Sequence, residues 1–562
     1  MLVAGIIAAQ RPGSPRPIGK IPVTDTLPRP AAPDTGTRVI IIHWTDHLEQ
    51  VTKDSIQLEK LIGHDTLYEG KTKLYADSMY FNQRANEVEA FGAVHINDND
   101  SIQIYSRYLK YYATPKKALL RREVRMTDGK NVLTTDSLDY DLPSHVGTYV
   151  KGGKVVNGTT VVTSTDGRYD GNSKDVTFIR NVHLTDPSYK ITNDSLTYNM
   201  ESKLASWQVP TVIVDSNGTI RTRKGYYDLK KNYFYSEDRP IIQDSSGSVI
   251  ANQIAYDKAT GNGEARGNVV YKDTSANTML ANHVFFNRQK KNLLATDKPV
   301  LIVLQGKDTT YIAADTFYSG LVRHLAYFRR HLNEMGDTSL FPPGSDSTYH
   351  PKVRNPVAHE AEVEPTDSLP PGKDSTLRFM IGFHHVRVFS DSMQAKSDSL
   401  FYSDVDSVFQ FFTKPVLWAN RSQITGDTMY LYTKHQTPTR LFVFNNGFII
   451  NKVGNDFFNQ IGSRTINGYF KDGAIDYMRS KGNAHSIYFA QNDSLQFLGL
   501  SLDEADAIDL YFLKRELNKV VYRNGVKGTT IPMGQFQLEQ TRLPGFHWLE
   551  ALRPKSKEEL FQ

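Results

Sequence analysis

The sequence predicts an all-β protein built as a repetitive stack of antiparallel strand pairs, and three observations predict it. Tyr140, Tyr169, Tyr198, Tyr227 and Tyr256 fall at a constant step of 29 residues, flanked by Phe286 after them and by Phe81 about two steps before Tyr140. Apolar and polar residues around them alternate with period two, which is strand behaviour, while helical periodicity is nearly absent. Turn-forming dipeptides punctuate the pattern at Asp128-Gly129, Asn157-Gly158, Asp186-Pro187 and Asn217-Gly218.

Each period carries two words. The first reads Asp136-Ser137-Leu138-Asp139-Tyr140 and returns as Asp194-Ser195-Leu196-Thr197-Tyr198. The second is an apolar-x-apolar pair: Val94 with Ile96, Val182 with Leu184, Val212 with Val214, and Val269 opening a further copy. One strand per word gives a hairpin-like unit that cannot bury its apolar face alone. Such units must stack, like residues recurring about 4.8 Å apart from strand to strand, and two apolar walls then face each other. The inward positions are Leu138, Tyr140, Leu196 and Tyr198 from the first word and the apolar pairs from the second, with Phe81, Tyr169, Tyr227 and Tyr256 in the aromatic column.

Where the period fails, the chain divides. Residues 1–34 hold a short apolar run, Leu2 to Ala9, ending in small residues before a proline-rich leader. That run resembles the end of a secretory signal without its positively charged start, so a truncated signal is expected. The first array spans 35–320. A proline-rich linker or long loop occupies 321–377, a second and more divergent array 378–532, and a tail or cap 533–562. Words of the second array include Asp398-Ser399-Leu400-Phe401-Tyr402 and Asp427-Thr428-Met429-Tyr430. Asp503 to Tyr511 could pass for an acidic helix, yet Asp509-Leu510-Tyr511-Phe512 echoes the strand words.

Composition narrows the functional classes. The chain has 562 residues, 39% hydrophobic and 23% charged, with no run of eighteen apolar residues, so a polytopic helical membrane protein is excluded. A net charge of +5, evenly spread, gives no footprint for nucleic acid. The absence of cysteine from all 562 positions removes disulfides, thiolate metal sites and cysteine nucleophiles. There is no HExxH, GxSxG, GxxxxGK[ST] or strand-associated GxGxxG motif, so no catalytic residue, metal ligand or cofactor is assigned. His384-His385 lacks metal-like partner spacing, and Asn97-Asp98-Asn99-Asp100 reads as a hairpin turn rather than a calcium loop. The column Asp77, Ser106, Asp136, Thr165, Asp194 is expected to start turns by bonding nearby backbone N–H groups; the alternative is a carboxylate ladder at a groove mouth.

The alternation of Tyr75-Ala76-Asp77-Ser78-Met79-Tyr80-Phe81 with Ala90-Phe91-Gly92-Ala93-Val94-His95-Ile96 resembles the OstA-like family, which includes the periplasmic lipopolysaccharide-transport protein LptA. The ending Leu543-Pro544-Gly545-Phe546-His547-Trp548 resembles the long OstA-like proteins of Bacteroidetes-type bacteria. The resemblance implies a β-jellyroll, or β-taco, whose open groove holds lipopolysaccharide acyl chains against the inward residues named above. It implies a periplasmic, non-catalytic transporter, possible association with the outer membrane, and end-to-end partners of LptC-like and LptD-like type, or self-association. Arg121, Arg122, Arg221 and Arg223 are candidate contacts for lipid phosphates, or else a solvated charged edge. A glycan-binding or glycan-cleaving solenoid and a purely structural interaction module are the alternatives.

Overall fold

The computed structural model describes residues 40–561 apart from 54–55, 275–276, 306–307, 326–376, 420, 435–436, 455, 472, 493 and 495. The signal-like segment and leader, and all but the ends of the proline-rich insertion, lie outside the described residues. Within them the regular elements are strands and short 3₁₀ turns, joined in antiparallel order. The acidic stretch at 503–511 lies inside the strand Phe497–Leu513, not in a helix. Two compact units are formed, Met1–Pro240 with Tyr256–Asn262 and Ile241–Ala255 with Gly263–Gln562.

In the first unit the long strands Ile56–Glu69, Thr72–Asn82, Glu87–Asp98, Ile102–Tyr112, Lys117–Thr127, Asn131–Asp141, Asp175–Asp186 and Tyr189–Asn199 pair with their neighbours. Their ladders break in mid-strand, for instance between Phe91 and Val94, Arg121 and Val124, and Ile179 and Val182. At these breaks successive residues enter the left-handed region: Gly63–His64, Arg122–Glu123, Lys151–Gly152 and Arg180–Asn181. The extra residues bend the strand, so its two halves lie on different walls while hydrogen bonding continues along each wall. The first wall carries the halves with Leu138 and Tyr140 paired to Leu120 and Ala118; the second carries Val182 and Leu184 paired to Asn193 and Ile191. The result is a repetitive antiparallel β-jellyroll whose walls share one bent edge and end in separate rows of turns.

The bend explains the acidic column. Asp77 accepts the Ala93 N–H at 2.8 Å, and a Cβ at Gly92, where φ is +91°, would overlap the Asp77 carboxylate. Thr165 accepts from Gly152 and donates to Arg180 through its backbone, at 2.6 and 2.9 Å. His384 and His385 occupy the equivalent bend of the strand Arg378–Phe389 and meet Asp398 and Asp315. Hence at Asp77, Thr165 and Asp315 the column pins bends. The turns of the first wall form their own ladder, with Leu142 N bonded to Lys116 O, Gly171 N to His145 O and Met200 N to Lys174 O. At Asn97–Asp100 a tight hairpin turn forms, with Asn99 and Asp100 at positive φ and Asp100 N bonded to Asn97 Oδ1.

In the second unit the strands Asp308–Ala313 and Thr316–Leu321 both pair with Arg378–Phe389, so the ladder resumes directly after the insertion. The residues from Phe536 onward lie across the outer face of one wall. Gln460, fully buried, donates to Thr541 O and accepts from Leu543 N at 2.8 Å each. Gln423 does the same for His547 O and Leu549 N at 2.7 Å, and Gln394 accepts from Arg553 at 2.8 Å. Phe546 and Trp548 pack on Phe448, Ile450 and Phe458, while Leu560 packs on Val300 and Ala313. Glutamine amides thus substitute for a strand's backbone, satisfying a segment that has no ladder of its own. Replacing Gln460 by Ala strands the Thr541 carbonyl and the Leu543 amide, and urea unfolding should show a loss of about 2–4 kcal/mol. A change below about 0.5 kcal/mol would show that the tail is not held this way.

Candidate functional site

The space between the walls is the candidate site, and its lining follows from strand alternation. Leu138, Tyr140, Leu196 and Tyr198 on the first wall and Val94, Ile96, Val182 and Leu184 on the second are buried inward residues. Phe81, Tyr169, Tyr227, Tyr256 and Val269 are buried as well. Val212 and Val214 are not: they are 38% and 45% exposed, while Ile213 between them is 1% exposed. The reason is register. Val212 lies thirty positions after Val182, but the column steps by 29, so Val182 is followed by buried Thr211 and Leu184 by Ile213.

Strands between the recognised words supply inward residues that the sequence reading missed, among them Ile104, Leu120, Val155, Val162, Phe178 and Ile191, all buried. Tyr111 extends the aromatic column by one step ahead of Tyr140. These columns fill the first unit's interior. Two voids there, one beside Met126, Val155 and Tyr169 and one beside Leu74, Val88 and Leu109, each hold about 20 Å³, room for a water but not for a chain. The second unit differs. It contains a cavity of about 550 Å³, lined by Tyr271, Met279, Leu293, Leu301, Val303 and Phe379, with Arg378, Ser319 and Asp404 at its polar side. The Arg378 guanidinium reaches Ser319 Oγ at 3.1 Å, and its backbone N–H donates to Asp404 at 2.9 Å. Burial pushes both the Asp404 carboxyl and the Tyr271 phenol above their ordinary values. Cavities of this volume with apolar walls and a few polar groups are of ligand-binding size.

At the turn edge the two walls meet through polar side chains. Tyr140 Oη donates to Asp98 Oδ2 at 3.0 Å, and His145 Nδ1 lies 3.0 Å from the same oxygen. Tyr111 bonds Glu69, which also faces Lys116 at 3.5 Å. Lys258 faces Asp215 at 3.4 Å and donates to Ser188 O at 3.0 Å. Glu69, Asp98 and Asp215 each end a second-wall strand, and their basic partners Lys116, His145 and Lys258 each sit in a first-wall turn. The four candidate phosphate contacts lie elsewhere. Arg121 pairs with Asp139 at 2.7 Å beside the bend, Arg122 is part of the bend, Arg221 pairs in register with outward Val212, and Arg223 precedes the strand Lys224–Asp228 across the bend.

Residues 36–194 match a family model described as OstA-like protein. The match ends at Asp194, within the strand Tyr189–Asn199, so the resemblance expected for the first array is found over that part of it. Among solved structures, one similar chain is LptH, titled the LptA-homologous periplasmic component of the conserved lipopolysaccharide transport device from Pseudomonas aeruginosa. It aligns at 16% identity over 19% of this chain and 83% of its own, with a TM-score of 0.18. No curated protein matches the sequence.

Two outcomes test this geometry. Ile213→Asp buries a charge between the walls and should cost more than about 3 kcal/mol, whereas Val212→Asp should stay within about 0.5 kcal/mol. Equal effects would mean that the register is wrong. Burial pushes the Tyr169 and Tyr198 phenols from 10.0 up to about 12. The fold favours their neutral form, so the stability they contribute is complete below pH 10 and is lost as pH rises toward 12. Titrated by phenolate absorbance, these tyrosines should ionise only with the alkaline unfolding transition; reversible ionisation of the whole column near pH 10 would contradict their burial.

Proposed function

We propose that this chain binds the acyl chains of lipopolysaccharide between its two walls and passes the lipid across the periplasm toward the outer membrane. The observation that carries the reading is the pair of apolar walls joined covalently on one edge only, so that they can part along the row of turns without breaking a strand ladder. Each methylene moved from water into such a slot gains about 0.8 kcal/mol, and a saccharide head is left outside. The OstA-like match on residues 36–194 supports the same reading. The second unit's cavity of about 550 Å³ offers acyl-sized room before any parting of the walls. Binding and release need no covalent step, so the function is transport, without catalysis. Handover is end to end, to LptC-like and LptD-like proteins or to further copies of this chain.

A photoreactive amino acid at Leu184 or Leu301, in the full chain incubated with lipopolysaccharide, should yield lipid adducts on irradiation. The same probe at outward Val212 should yield none. Adducts confined to Val212, or adducts to proteins alone, would overturn the lipid reading.

A further inference from the structure

We propose that the ion-pair row along the turn edge is a phosphate-docking site for an anionic lipid, the lipid's phosphates taking over the cations from the carboxylates and thereby releasing the walls. This rests on the lipid-binding reading above. In the first unit the pairs are Glu69 with Lys116, Asp98 with His145, and Asp215 with Lys258. The second unit repeats the arrangement in Asp244 and Arg288 at 3.0 Å. Glu69, Asp98, Asp215 and Asp244 each close a strand; Glu69 to Asp98 is one step of 29 residues, and Asp215 follows Asp98 after 117. Since one repeat adds two strands, the Glu69 and Asp98 pairs stand about 10 Å apart along the edge, and the Asp215 pair follows about four repeats farther along the first unit.

The first unit's pairs have the properties a charge exchange needs; in the second unit's pair the order is reversed, Arg288 being 10% exposed and Asp244 17%. In the first unit the carboxylates are the covered partners, with 8%, 6% and 9% of their side chains exposed, and the basic side chains Lys116, His145 and Lys258 the more open ones, at 28%, 33% and 18%, His145 being a cation only when protonated. A phosphate arriving from solvent therefore meets the cations first. It carries more charge than a carboxylate and offers more acceptor oxygens, so it competes well for lysine and histidine. The displaced carboxylate is then beside a like charge in a covered position, and parting of the walls relieves the repulsion by letting water reach it. Tyr111 and Tyr140, which bond Glu69 and Asp98 while heading the inward column, would move with them. A tail without a phosphate supplies no such exchange. Phosphate recognition thus belongs to the turn edge and not to Arg121, Arg122, Arg221 or Arg223 at and around the bend.

The test uses the full chain carrying the photoreactive residue at Leu184, with a phosphorylated lipid A, the same lipid stripped of phosphate, and inorganic phosphate as competitor. The wild type should capture the phosphorylated lipid preferentially. Lys116→Gln with Lys258→Gln should lower that capture about tenfold, the loss of charge-assisted bonds, without changing capture of the stripped lipid. Lys116→Arg with Lys258→Arg should restore it, which separates docking from misfolding, and Arg121→Gln with Arg223→Gln should leave it unchanged. Because the chain has no cysteine, Asp100→Cys with Ser144→Cys gives two spin-label sites on facing turns. Their distance should lengthen with the phosphorylated lipid and stay fixed with inorganic phosphate alone. Equal capture of both lipids by the wild type, or lysine variants that lose nothing, would overturn the docking row while leaving the groove intact. Capture of neither lipid would remove the groove reading, and the row with it.

Discussion

A bend repeated once per strand governs this structure. Pairs such as Arg122–Glu123 and Arg180–Asn181 accept left-handed backbone angles that cost non-glycine residues energy, and they persist because the neighbouring strand pins them. Each bend lets one strand serve two walls, so a single run of hydrogen bonds lengthens both at once. With the walls fused at the bend and ended by turns at the other edge, the interior can be sealed only by side chains.

That division places apolar and polar groups in different jobs. Inward leucines, valines and tyrosines hold the walls together by burial, and this force is non-directional, so acyl chains can substitute for it. The polar contacts are directional and sit at the two edges. At the bend they fix backbone; at the turns they join walls that have no covalent link. In the second unit a third layer appears, where buried glutamines tie the tail to a wall that is apolar on both faces.

Much of this was legible in the sequence because a stack repeats its environment, and a repeated environment selects a repeated residue. The tyrosine column and the Leu138 and Leu184 positions could be read from their 29-residue step alone. The failure at Val212 and Val214 has a local cause: Val212, Ile213 and Val214 are all apolar, so alternation could not choose a face, and the thirty-residue step from Val182 chose the wrong one. The acids Glu69 and Asp98, and again Asp215 and Asp244, are 29 residues apart and were open to discovery, but one acid ahead of a turn looks like any other turn former. Neither the Gln423 and Gln460 contacts with the tail nor the second unit's cavity had a sequence signal. Both depend on segments distant in the chain that no period relates.

The central claim is that lipid enters between the walls. A structure of the lipopolysaccharide-saturated chain tests it most directly. The account requires acyl density between the Leu138–Leu196 side and the Leu184 side, with both strand ladders intact and the turn rows farther apart. Acyl density on the outer face beside Val212, or lipid bound with the inward columns still in mutual contact, would contradict it.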